Sequence, residues 1–199
     1  SGDGTVRVWD SASGEQVARF DGHVGSVNSV AFSPDGTQIA SGGIDNLIQV
    51  WNVGSGRKAA SLVGHYGWVH SVAFSPDGTQ IISGGGDGTV RIWGSAGGEE
   101  VTHFEVHGGV VNWVAFSRDG AKVATGGDDG TVRVWKTGRG VDYASIEGHS
   151  GPVNSLAFSP DGTQIASGGE DATLRVWAIA SGEEIIRIEG FDKLPAVSV

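Results

Sequence analysis

The 199-residue sequence predicts an all-β fold made of repeated four-stranded antiparallel units, and three observations predict it. A single unit recurs every 42 residues without an insertion. Glycine reaches 35 residues, well above the usual share of about 7%, as a chain with many tight turns requires. No stretch carries the apolar periodicity of an amphipathic helix. Trp9, Trp51, Trp93, Trp135 and Trp177 mark the period. Ala-Phe-Ser-x-Asp-Gly starts at Ala31, Ala73, Ala115 and Ala157, and Gly-Gly-x-Asp starts at Gly42, Gly84, Gly126 and Gly168.

The elements of one unit follow in order. Val27 to Ser33 is an apolar-rich strand, and Ser33-Pro34-Asp35-Gly36 closes it with Pro and Gly where a type I turn prefers them. Thr37 to Ser41 is the second strand of that hairpin. It ends in Gly42-Gly43-Ile44-Asp45-Asn46, where glycine permits positive φ and the Asp can accept from nearby amides. Leu47 to Trp51 is the third strand. A loop through Gly54 to Gly56 leads to Lys58 to Leu62, a fourth and less regular strand.

Gly22-His23, Asp45 and Val50-Trp51-Asn52 resemble the Gly-His, Asp and Trp-Asp landmarks of the WD-repeat family, and the first unit shows the pair itself as Trp9-Asp10. The resemblance covers nearly the whole chain at the family's usual repeat length. It implies a β-propeller, a toroid of radially packed four-stranded blades. The Trp-Asp pair has decayed to Asn52, Gly94, Lys136 and Ala178 after the later tryptophans, which touches an exposed turn more than the core. In this register residues 23–64, 65–106, 107–148 and 149–190 are complete blades. Residues 1–22 supply the third and fourth strands of a partial blade, and 191–199 start a further blade or form a tail, with Phe191 in the His slot and Pro195 where a strand residue is expected. The segment equivalent to Phe32 through Gly42 is absent from the partial blade. The chain is thus an excerpt of a larger ring, a ring closing with about five blade positions, or a protomer whose ring a second copy completes; unpaired strand edges invite such association.

Every full unit holds a His, a hydroxyl, an Asp and a Trp at fixed offsets: His23, Ser41, Asp45, Trp51; His65, Ser83, Asp87, Trp93; His107, Thr125, Asp129, Trp135; His149, Ser167, Asp171, Trp177. Ser, His and Asp suggest acyl transfer. Fourfold repetition argues instead for a structural role, since a nucleophile needs an exposed oxygen, an oxyanion hole and a cleft. The family resemblance implies a hydrogen-bonded chain inside each blade. No catalytic set stands out elsewhere, so the chain is expected not to be an enzyme. No metal or other cofactor is expected either: His65 and His70, or His103 and His107, lie among strands that cannot converge them as a helix would, and the Asp-Gly pairs lack the further carboxylates of a calcium loop.

Because shared positions hold the repeat together, the positions that differ between units are the place to look for binding. The slot of Ser26 carries Trp68, Val110 and Pro152; that of Asn28 carries His70, Asn112 and Asn154; the one before the turn Asp carries Ile44, Gly86, Asp128 and Glu170. In the family these slots tend to lie on the face rimmed by the Gly-His loops and Asp turns. The candidates are therefore Trp68, His70, Ile44, Val110, Asp128, Pro152 and Glu170. Trp68 leads them, because an exposed indole buries a large area in an interface, although packing between blades is an equal alternative. Trp113, in a slot otherwise filled by Ser29, Ser71 and Ser155, reads as a filler between blades.

The bulk composition narrows the class of partner. A formal charge of −10 and the scattering of 13 Lys and Arg argue against nucleic acid. No apolar run approaches a membrane span, and the absence of Cys fits a cytoplasmic address. The expected function is a non-catalytic protein-interaction scaffold that presents a propeller face to a protein or peptide. The alternative is an engineered or evolutionary-model repeat protein, or a self-assembling fragment, without a natural partner; the unbroken period and the absence of Met prompt it.

Overall fold

The structure, a computed structural model, describes residues 1–137 and 142–190. The expectations placed on 191–199, including Phe191 and Pro195, lie outside the described residues. Among the described residues eighteen strands form five antiparallel sheets. β1 (Thr5–Trp9) and β2 (Gln16–Asp21) make a two-stranded sheet. Four four-stranded sheets follow: β3 (Val27–Phe32), β4 (Gln38–Gly43), β5 (Leu47–Asn52) and β6 (Lys58–Val63); β7 (Val69–Phe74), β8 (Gln80–Gly85), β9 (Thr89–Gly94) and β10 (Glu100–Glu105); β11 (Val111–Phe116), β12 (Lys122–Gly127), β13 (Thr131–Lys136) and β14 (Asp142–Glu147); β15 (Val153–Phe158), β16 (Gln164–Gly169), β17 (Thr173–Ala178) and β18 (Glu184–Glu189). Each sheet pairs in chain order, and the first strands β3, β7, β11 and β15 lie side by side in succession, as the inner strands of propeller blades do. The fourth strand, Lys58–Val63, pairs as regularly as the others apart from a register shift opposite Trp51.

The hairpin turn forms for the reason its residues suggest. The Gly36 N–H donates to Ser33 O at 2.9 Å, the Ser33 hydroxyl donates to Asp35 Oδ1 at 2.6 Å, and Gly36 takes φ +71°.

The sheets β3–β6, β7–β10 and β11–β14 are packed on both faces, which explains why β4 and β5 carry small and apolar residues nearly throughout rather than in strict alternation. Ala40, Ile48, Val50 and Leu62 of one sheet meet Val69, Val72, Ile81 and Trp93 of the next. Equivalent layers follow between the second and third sheets and between the third and fourth. Val6 and Phe20 of the two-stranded sheet pack the same way on Ile39 and Trp51.

The paired glycines answer two separate demands. A Cβ at Gly42 would sit 2.5 Å from Val69 Cγ1, so the first glycine admits the next blade. A Cβ at Gly43 would sit 2.7 Å from His23 Nδ1, so the second admits the imidazole.

Candidate functional site

The hydroxyl of each four-residue set lies at the second strand's core, and the indole reaches it because every Trp stands at a register shift between third and fourth strands, as between Val50 and Trp51. A bulge of this kind re-aims a side chain. Trp51 Nε1–H donates to Ser41 Oγ at 2.9 Å, Ser41 Oγ lies 2.8 Å from His23 Nε2, and His23 Nδ1 lies 2.9 Å from Asp45 Oδ1. His65, Ser83, Asp87 and Trp93 repeat this arrangement, with Nε2 to Ser83 Oγ at 2.8 Å and the indole bond at 2.9 Å. His149, Ser167, Asp171 and Trp177 repeat it again, at 2.8 Å for both bonds to the hydroxyl. In the third blade His107 Nε2 to Thr125 Oγ1 is 2.8 Å and His107 Nδ1 to Asp129 Oδ1 is 2.9 Å, but Trp135 Nε1–H reaches Thr125 Oγ1 only at 3.4 Å.

The proton order follows from the end groups. An indole N–H can only donate, so the hydroxyl oxygen accepts it and turns its own hydrogen to Nε2. Nδ1–H then faces the carboxylate. Burial pushes His65 and His107 below the ordinary imidazole value, which keeps each ring neutral near pH 7 with one proton to give. Burial pushes the Asp45, Asp87, Asp129 and Asp171 carboxyls up, but the imidazole and backbone N–H donors outweigh it and leave all four below the usual range. Three of the four carboxylates also cap their loops: Val24 N–H, Tyr66 N–H and Ser150 N–H donate to Asp45, Asp87 and Asp171 at 2.9, 2.9 and 3.1 Å.

Such a network cannot perform nucleophilic attack as it stands, because Ser41, Ser83, Thr125 and Ser167 are buried and their oxygens are committed within the blade. Among the described residues no group of three metal-binding side chains converges. His103 lies instead beside Glu100, at 2.7 Å, while His107 stays in its network.

The positions that differ between units gather on the face of the Gly-His loops. Their backbones are joined in pairs, since Ile44, Gly86, Asp128 and Glu170 N–H groups donate to the carbonyls of Ser26, Trp68, Val110 and Pro152 at 2.8 to 3.0 Å. Trp68 is 55% exposed, which answers the question of its burial. It lines an open hollow of about 440 Å³ with His70, Val110, Tyr66, Asn46 and two glycines. The Trp68 and His70 rings lie 6.4 Å apart at 39°. Asp128 and Glu170 are exposed and Ile44 and Pro152 half-buried, and none of the four lines the hollow. Trp113 departs from the expectation of a filler between blades. It is 39% exposed, and its slot is one where Ser29 and Ser71 accept the N–H of Val72 and Val114 at 3.1 and 3.2 Å, a service an indole cannot give.

Two members of the hollow escaped the sequence reading. Tyr66, 89% exposed, follows the network histidine where the other units have Val24, Gly108 and Ser150. Asn46, at φ +66°, holds a slot filled by Gly4, Gly88, Gly130 and Ala172. Comparing these two slots between units would have found both.

Repeated four-stranded blades, each holding a His, hydroxyl, Asp and Trp network, define a β-propeller architecture. The family model described as WD domain, G-beta repeat matches residues 14–52, 56–94, 98–136 and 140–178, more than half of the chain, and the chain belongs to that family. Repeats of this family generally mediate protein–protein interactions without catalysing reactions. Among curated proteins the chain is similar to ribosome assembly protein 4 of Chaetomium thermophilum, 52% identical over 48 residues. That stretch is 23% of this chain and spans only 9% of the relative's length.

Proposed function

We propose that this chain is a non-catalytic scaffold whose partner, a protein or peptide, docks on the face of the Gly-His loops and Asp turns, with the four networks holding the blades rigid beneath it. The hollow carries this reading. Two exposed aromatic rings, Tyr66 and Trp68, stand beside it on loops anchored by the Asp87 carboxylate and the Gly86 N–H. Large, rigid aromatic surface on a fixed frame is what interface hot spots are made of. Similarity to an assembly factor fits such a role. A photo-crosslinking residue at position 68, with another at position 77 on the hairpin turns as control, tests it on a protein partner isolated by affinity. Crosslinks at 68 and none at 77 are expected. Crosslinks at 77 alone would move docking to the turns.

A second reading, self-association of copies, is supported by the exposed face of the fourth blade. Ile188 is 47% exposed, while its counterparts Leu62 and Ile146 are 1% and 2% exposed against the next sheet. A Cβ at Gly168 would meet nothing within 4 Å, where the same position at Gly42, Gly84 and Gly126 is crowded. The matching half is Trp9, 56% exposed where Trp51, Trp93, Trp135 and Trp177 are 1 to 8% exposed. A second copy that laid its Trp9 on Ile186 and Ile188 would repeat a junction the chain already makes internally. Sedimentation of the chain, and of Ile188→Lys with Trp9→Ala, tests this. A concentration-dependent dimer abolished by the pair of changes is expected, and a monomer at all concentrations would exclude it.

A further inference from the structure

We infer that the segment docking in this hollow is basic and places an Arg or Lys side chain between the Trp68 ring and the Asp128 carboxylate. This rests on the docking reading above and adds the chemistry of the partner.

The loops that make the face are residues 2–4, 22–28, 44–46, 64–70, 86–88, 106–112, 128–130, 148–154 and 170–172. They hold seven carboxylates and not one Lys or Arg. Asp45, Asp87, Asp129 and Asp171 are spent on the network histidines, and Asp3 is paired with Arg7 at 2.9 Å. The other two, Asp128 and Glu170, are exposed and belong to no such network, so their charge faces outward. Asp128 stands next to the hollow rather than in its lining: its N–H donates to the carbonyl of Val110 at 3.0 Å and its charge acts on the His70 imidazole, and both of those residues line the hollow. Asn112 Nδ2 donates to Asp128 Oδ1 at 2.8 Å. That bond orients the carboxylate and leaves acceptor directions for a further donor, since an ionised carboxylate offers about four.

The floor adds no positive charge. Burial pushes the His70 imidazole below its ordinary value, so the ring is neutral near pH 7. Arg91 lies with its guanidinium carbon 6.0 Å from the Tyr66 ring centroid, but it is buried and ion-paired to Glu100 at 2.6 Å. An aromatic wall beside a lone carboxylate suits a guanidinium or ammonium group, which gains from the ring's electron-rich face and from a charge-assisted hydrogen bond together. An anionic partner would meet like charge at Asp128 and Glu170 with no cation on these loops to answer it. The formal charge of −10 draws basic partners toward the molecule from a distance.

A random-peptide phage library panned on the whole chain supplies the probe. The enriched peptides are made synthetically, and their affinity is measured for the parent chain, Trp68→Ala, Asp128→Lys and the control Glu99→Lys, an equal charge change at an exposed residue of a strand-connecting loop. Enriched peptides are expected to carry Arg or Lys. Replacing that residue by Gln, or making Trp68→Ala or Asp128→Lys, is expected to weaken binding by at least about tenfold, while Glu99→Lys changes it less than about twofold. Should Asp128→Lys melt below the parent chain, Asp128→Ser takes its place with the same expectation. Peptides that lose affinity with Trp68→Ala yet carry no cation, or ignore the change at Asp128, would overturn the basic partner and leave the face standing. Peptides indifferent to both changes, or a library that yields none, would overturn the face as well.

Discussion

Replacing His65 by Ala takes the middle from one network and leaves the ends in place. Ser83 and Trp93 are buried, so the Ser83 hydroxyl loses the acceptor for its hydrogen, while Asp87 keeps the Tyr66 and Thr89 donors. An unmet buried polar group costs about 1 to 3 kcal/mol. The imidazole also leaves a void on the order of 50 Å³, which at about 24 cal/mol per Å³ adds roughly 1 kcal/mol. The sum is about 2 to 4 kcal/mol. At about 2 to 4 °C per kcal/mol for a chain of this size, the Tm should fall by roughly 5 to 15 °C. Calorimetry or circular dichroism measures this, and Asp87→Ala with the double variant completes a cycle whose coupling should be on the order of 1 kcal/mol or more. A Tm within about 1 °C of the parent, or strict additivity, would refute the claim that the network holds the blade.

Other consequences follow from the same geometry. Gly84→Ala should destabilise by about 1 to 3 kcal/mol, because the new Cβ would fall 2.6 Å from Val111 Cγ1, whereas Gly168→Ala, in open space, should be neutral or stabilising in denaturant melts. Ala172 holds φ +57°, a left-handed conformation that costs an L residue about 1 to 2 kcal/mol; Ala172→Gly relieves it, and after the entropy added to the unfolded chain a gain of roughly 0.5 kcal/mol should remain. Stability should fall on acidification in two stages read from urea midpoints. His65 and His107 have folded values below the unfolded imidazole value, so the unfolded chain takes up protons first, and their contribution, full above pH of about 6.5, is lost as pH drops through their folded values. Asp45, Asp87, Asp129 and Asp171 are depressed as well, so theirs is full above about pH 4 and lost below it. A midpoint that rises between pH 7 and pH 5 would contradict this.

The repeat was legible because its physics is local and repeated. Ser33-Pro34-Asp35-Gly36 specifies a turn within four residues, and the tryptophans set the register of every unit without an insertion. Gly-Gly was legible as a turn signal but not as two clearances, one for the next blade's valine and one for the imidazole, since those neighbours lie 27 residues onward and 20 residues back in the chain. Internal comparison singled out Trp68, His70 and Val110, which the structure brings together around one hollow. Tyr66 hid behind the invariant histidine before it. Trp113 misled because an indole in a serine slot reads as a space filler, while the slot faces partly outward. The strand ends moved by a residue or two for a similar reason. Pairing extends β4 to Gly43 and β5 to Asn52 beyond the apolar residues that announce them.

The central claim is a division of labour, with shared residues for the fold and the differing residue Trp68 for the partner. Measuring Tm and peptide affinity side by side for His65→Ala and Trp68→Ala tests it most directly. His65→Ala should melt several degrees lower and, below its transition, bind within about twofold of the parent, while Trp68→Ala should melt with the parent and bind at least about tenfold more weakly. Equal loss of affinity in both variants, or a lower Tm for Trp68→Ala than for His65→Ala, would contradict the division.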